Sequence, residues 1–266
     1  MDLSSILKDS VKYPFSDWRK FLILGFIILI VNFSDIFRPN FFLNTPKIWI
    51  MWVLSIIGGL FLFLVKGYLI RIMKFSFTGM LKLPEFNNLV DMFIDGAKFF
   101  IVTFVYTIPI IFILLIFSVL STSHISIFIN ILFGLAKWLI IGGTGIHDVY
   151  VWMGIWFFVI ILYMILIIPI IAMAIAQIAN NGKLNAAFKF KEIFKIITSK
   201  GWKYLISWYV VTVIFYLIFA TVGIILTGYI SKFNPLIGTV LSILIVSTYL
   251  YIYLARSVAL FYIQSK

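Results

Sequence analysis

Nine carboxylates, two histidines and no cysteine make up the acid, base and metal-ligating equipment of this 266-residue chain. Lack of cysteine removes disulfides, thiolate nucleophiles and Cys-ligated zinc together. The nearest approach to a chemical site is Asp91 and Asp95, one helical turn apart with Glu85 just upstream. Two carboxylates so spaced could bind a cation or relay protons. They equally suit ion pairs with Lys8, Lys12, Lys191 or Lys195, or a merely solvated face. A second candidate is the stripe of Ser242, Tyr249, Tyr253 and Arg256, which fall within about 60° of one another at 100° per residue. Polar groups on an apolar helix usually face a bundle interior or cavity, which makes this a ligand-facing stripe; alternatively Arg256 snorkels to the interface. Pro109 and Pro169 interrupt apolar runs and each removes a backbone donor, marking hinges or packing kinks. The loop "IIGGTGIHDVY" (Ile140 to Tyr150) carries His147 and Asp148, with His124 in the same region. It lacks the Lys-Ser/Thr ending of a phosphate loop and reads as a flexible connection. No catalytic residue, cofactor site or metal site is assigned.

The elements that position these residues are dictated by composition. Hydrophobic residues make up 64% and charged residues 11%, against roughly 45–50% and about 25% in soluble domains. Stretches such as "IVTFVYTIPIIFILLIFSVL" (Ile101 to Leu120) are apolar on every side, as spanning helices are and barrel strands are not. Runs at about 21–37, 48–65, 99–121, 150–177, 204–227 and 236–262 predict six spans. All but four of the 21 Lys and Arg fall on one side of that arrangement, the exceptions being Arg38, Lys47, Lys137 and Lys232. Basic residues favour cytoplasmic loops, so both termini are expected in the cytoplasm and the location is the cell membrane. The net charge of +12 is spread along the chain; nucleic-acid binding needs it gathered on one soluble surface, and none is expected. Asp2 to Lys20 is charged before the first apolar run, so the first span is expected to be retained rather than cleaved as a signal. The segment 125–141 is mostly apolar but interrupted by Lys137, and is read as an outer interfacial or re-entrant helix.

Three segments have one apolar and one polar face. In the first, Leu3, Ile6, Leu7 and Val11 oppose Ser5, Lys8, Asp9 and Lys12; in the second, Phe86, Leu89, Val90, Phe93 and Ala97 oppose Asn88, Asp91, Asp95 and Lys98. In the third, Ala186, Phe190, Ile193, Phe194 and Ile197 oppose Lys191, Glu192, Lys195 and Thr198. Each is followed by an apolar run, with Trp18 and Trp202 placed as interfacial anchors. The expected fold is an all-α polytopic membrane helix bundle. It forms a single integral membrane domain of three repeats, about 1–73, 84–178 and 184–266, each an interfacial amphipathic helix plus two spans.

"VKYPFSDWRK" (Val11 to Lys20), "GYLIRIMK" (Gly67 to Lys74), "LPEF" (Leu83 to Phe86) and "DGAKFF" (Asp95 to Phe100), followed by Tyr106 and Pro109, together resemble domain-of-unknown-function family 4013, archaeal multi-pass membrane proteins. The resemblance implies a membrane location and an archaeal source, and carries over no catalytic residue.

The spans lack Glu and His, and hydrolysis or group transfer wants a poised acid, base or metal. A non-catalytic protein that organises the membrane is therefore expected. Its partners would be membrane lipids, anionic on the cytoplasmic side, and a membrane protein or further copies of itself. The alternative is a transporter or carrier of a lipid or small apolar molecule, with its site near Tyr249, Tyr253 and the two prolines.

Overall fold

The computed structural model describes residues 3–33, 48–120 and 147–265. Segment 125–141, His124, Asp35, Arg38, Lys47, Lys137 and the glycine-rich loop up to 146 lie outside the described residues. Among the described residues every regular element is helical. They are α1 (Leu3–Lys12), a 3-10 turn (Tyr13–Ser16), α2 (Trp18–Val31), α3 (Ile48–Phe77), α4 (Leu89–Leu120), α5 (His147–Asn181) and a second 3-10 turn (Leu184–Phe188). There follow α6 (Phe190–Lys200), α7 (Trp202–Phe233), α8 (Pro235–Leu241), a π-helical segment (Ser242–Ser247) and α9 (Thr248–Ser265).

A bilayer core of about 30 Å takes some 20 apolar residues at 1.5 Å rise. Four helices meet that requirement among the described residues: Trp52–Phe77, Leu89–Leu114, Trp202–Phe233 and Pro235–Gln264. The last runs through α8, the π segment and α9. The expected first span coincides with α2, described for only 14 residues. The fourth coincides with α5, where Ile165–Asn181 is a shorter apolar stretch. The second expected span stops at Val65, but α3 continues to Phe77. Lys66 therefore sits on the helix, its ammonium 5.2 Å from the centre of the Phe99 ring and 4.7 Å from that of Tyr251. Aromatic faces solvate a cation where carboxylates are absent.

The chain forms two compact units, Met1–Val102 with Ala172–Lys266, and Thr103–Ile171. The first has its core where α9 packs on α3, α1 and α7 and where α2 packs on α3 and the π segment. Ile6, Phe21, Leu24, Tyr68, Ile72, Ile252 and Phe261 are buried there.

Two of the three amphipathic segments form separate short helices, and local breaks explain why. Asp17 is extended at φ −155°, and its carboxylate accepts from the Lys20 N–H at 3.2 Å, capping α2. Gly201 separates α6 from α7 at φ +87°, a left-handed conformation that favours glycine. The second segment has no such break, and α4 runs unbroken from Leu89 into its apolar stretch. Its inward face also differs from the periodic one: Met92, Asp95 and Gly96 are buried while Leu89 and Val90 are exposed. Close packing overrides the pattern here. A Cβ on Gly67 would collide with the Met92 carbonyl oxygen, and one on Gly96 with the Phe63 carbonyl oxygen, so α3 and α4 touch backbone to backbone. In α6 the inward side chains are Ile193 and Ile197, leaving Phe190 and Phe194 exposed.

Candidate functional site

The polar stripe on the last apolar helix faces protein. Arg256 is 2% exposed. Its Nε and Nη2 donate to the two carboxylate oxygens of Asp9 at 2.9 and 3.1 Å, and its Nη1 donates to the Met80 carbonyl at 3.0 Å. The guanidinium lies 4.4 Å from the centre of the Tyr13 ring. A forked, planar cation matches a carboxylate with two parallel bonds, and its flat face suits an aromatic ring. Tyr13 in turn donates to the Lys82 carbonyl at 3.0 Å, and Tyr249 donates to the Val11 carbonyl at 3.0 Å. Burial pushes the Tyr13 hydroxyl up to about 12, against the opposing pull of Arg256. This clasp holds α1 and the following 3-10 turn against α9. Asp9 belongs to the polar face of α1 by periodicity, yet it points inward because Arg256 needs a counter-charge there.

Tyr253 extends the stripe on the other side. Its ring lies 4.6 Å from Phe215, and that of Tyr249 lies 3.9 Å from Phe219, both on α7. Ser242 is not part of this group: it opens the π segment, whose i→i+5 bonding slips the helical phase between it and Tyr249. The regular 100° wheel that aligned it with the tyrosines does not apply across that segment.

Asp91 and Asp95 line a cavity of about 420 Å³ at the junction of α3 and α4, together with Arg71, Lys74, Asn87 and Lys98. Asp95 is 8% exposed and both its oxygens are taken, by Lys74 at 2.5 Å and Lys98 at 2.9 Å. Lys98 also donates to the Gly182 carbonyl at 3.0 Å. The partners of Asp95 thus come from its own helix and from α3, and not from Lys8, Lys12, Lys191 or Lys195. Asp91 is exposed and has no ion pair among the described residues. Arg71 donates through Nη1 to the carbonyls of Glu85 and Asn87 and to the Asn87 side chain, shaping the connection between the two helices. Beside it, Lys20 binds Glu85 at 2.8 Å, Asp17 at 3.2 Å and the Leu83 carbonyl at 2.8 Å. The bond to Glu85 is the chief reason that the Lys20 ammonium is held above its usual range. No group of three or more His, Asp or Glu side chains is placed to hold a metal among the described residues. Of the basic residues of this cavity, Lys98 is legible in the sequence, one helical turn from Asp95 on the same helix, whereas Lys74 is 21 positions away on α3 and is not.

In the second unit, Tyr163 of α5 donates to the Tyr106 carbonyl of α4 at 2.6 Å. Pro109 lacks the N–H of a regular turn and its ring crowds the carbonyls behind it. The carbonyl that Pro109 leaves without its N–H is that of Val105, and the tyrosine hydroxyl bonds the next one along. Pro169 is buried within α5.

An all-α chain with four helices of membrane-spanning length and apolarity among its described residues is of the membrane-protein class. The family model described as "Protein of unknown function (DUF4013)" matches residues 50–228, well over half of the chain, and the protein belongs to that family. The matched part contains "GYLIRIMK", "LPEF" and "DGAKFF"; "VKYPFSDWRK" precedes it. Neither the curated proteins nor the solved structures contain a match.

Proposed function

We propose that this protein is a non-catalytic organiser of its membrane, with six spans and both termini in the cytoplasm. In this reading α1 and α6 lie in the cytoplasmic interface and meet lipids and partner membrane proteins. The observation that carries it is the outward face of α6: Phe190 (51% exposed), Phe194 (40%) and, beyond Gly201, Trp202 (44%) stand among the exposed Lys191 and Lys195. Large apolar side chains interleaved with lysines on a short helix, with an aromatic anchor next to it, are the marks of an interfacial helix. Phe15 and Trp18, exposed beside Lys12 and Arg19, repeat the arrangement after α1. The unequal distribution of Lys and Arg supports the orientation.

A chain with no native cysteine allows a direct test. Nitroxide labels at Phe194→Cys and Lys195→Cys, in the full chain reconstituted in vesicles, are compared for contact with oxygen and with a water-soluble nickel chelate. The reading expects position 194 to favour oxygen and position 195 the chelate. Equal exposure of both to the chelate would refute an interfacial α6.

A further inference from the structure

The charges around the α3–α4 cavity do not cancel. Three cations, Arg71, Lys74 and Lys98, face two carboxylates, Asp91 and Asp95. An ammonium has three donors. Lys74 uses one, on Asp95, and Lys98 uses two, on Asp95 and the Gly182 carbonyl. Three lysine N–H groups therefore remain for another acceptor. Arg71 bonds only to carbonyl oxygens and the Asn87 side chain among the described residues, so no carboxylate neutralises it. Asp95 holds the two ammonium groups close together, a spacing that their mutual repulsion alone would open. The cleft, about 420 Å³ and open to its surroundings, has room for a phosphate group.

The surroundings say where such a ligand comes from. Ile94 lines the cavity and is 47% exposed, and it continues a stripe with Val90 (72%) and Ile101 (40%) on one side of α4. These residues repeat at helical spacing, so an apolar track leads from the polar cavity along the spanning helix. Lys74 lies in the last turn of α3 and Asp95 near the start of α4, which sets the cavity at one end of both apolar stretches.

We infer that the cavity binds the phosphate of a membrane lipid, with Lys74 and Lys98 as its donors, Arg71 adding charge, and a lipid chain lying along Val90, Ile94 and Ile101. This rests on the membrane-organising reading and names the lipid chemistry that it would use. Asp91, at the rim and unpaired, opposes an anion and tunes the site against excessive negative charge.

The test is native mass spectrometry of the full chain from micelles doped with phosphatidic acid or with the matching diacylglycerol, which lacks only the phosphate. Loss of charge-assisted hydrogen bonds typically weakens binding about tenfold or more. Wild type is expected to retain phosphatidic acid about tenfold better than diacylglycerol. The triple variant Lys74→Gln, Lys98→Gln and Asp95→Asn, which removes both donors together with the carboxylate they share, should lose that preference. Because that variant disturbs a packed group, Asp91→Asn provides a second measurement at an exposed residue, and should strengthen phosphatidic acid retention. Equal retention of the two lipids by wild type, or a preference that both variants leave unchanged, overturns the assignment. Displacement of the lipid by millimolar inorganic phosphate would instead make this a site for free phosphate and overturn the lipid source. If phosphate preference fails while position 194 still contacts oxygen, only the site falls and the interfacial reading stands.

Discussion

Replacing Asp9 by alanine removes the carboxylate that faces Arg256 and leaves a guanidinium buried to 2% exposure with one carbonyl and one ring for company. Breaking a fully buried pair in this one-sided way costs about 3–5 kcal/mol. The Asp9 side chain is 24% exposed, so water recovers part of that, and about 2–3 kcal/mol is expected. At 1.4 kcal/mol per factor of ten, α1 should detach about 30- to 150-fold more often. Ser10, next to Asp9 and fully buried, reports the event. With Ser10→Cys as the sole thiol, labelling by a maleimide should accelerate by that factor in Asp9→Ala. In an Arg256→Met background, where there is no buried guanidinium for Asp9 to neutralise, Asp9→Ala should not accelerate labelling further. An acceleration below about threefold, or an equal one in both backgrounds, would refute the clasp as the element that holds α1.

Gly67→Ala should lower the thermal stability of the detergent-solubilised protein by about 1–3 kcal/mol through backbone overpacking, whereas Gly59→Ala, with open space around it, should be close to neutral. Tyr163→Phe removes the donor to the Tyr106 carbonyl and should cost about 1 kcal/mol, seen as faster hydrogen exchange in α4 near Tyr106. The Tyr13 hydroxyl is raised from 10.0 to about 12 by burial, so its contribution to the clasp is complete below pH 10 and is lost as pH climbs through about 12. An absorbance titration of wild type against Tyr13→Phe should show one tyrosine ionising late. The Asp17 carboxyl is held below its usual range, chiefly by the Lys20 backbone N–H, so the start of α2 should loosen as pH falls below the ordinary aspartate range. Exchange of the α2 amides at low pH measures that, and Asp17→Asn should flatten it.

Helical class and the long apolar runs were legible in the sequence because membrane-spanning segments carry their signal in composition, which no tertiary contact overrides. The short helices α1 and α6 were legible from periodicity, and the breaks at Asp17 and Gly201 made them separate. The start of α4 is not legible from periodicity, because the close Gly67 and Gly96 crossing turns Met92 and Asp95 inward against the pattern. Periodicity places Arg256, Tyr249 and Tyr253 on one side of the last helix but does not identify their partners. Asp9 and Val11 lie at the far end of the sequence, and no local rule pairs residues separated by 247 positions. A regular helical wheel also places Ser242 in the stripe, but the π segment between it and the tyrosines breaks that regularity.

The pairing of Asp9 with Arg256 also orders events in time. Ribosomes make about 5–20 residues per second, so roughly 10–50 s pass between synthesis of Asp9 and arrival of its partner 247 positions later. Throughout that interval α1 has a charged inward face with nothing to neutralise it. Although made long before its partner, α1 is therefore among the last of these helices to settle, and an undocked α1 is a ready signal that a nascent copy is unfinished. Variants at Arg256 should accordingly be recognised by quality control through a segment that they do not touch in sequence.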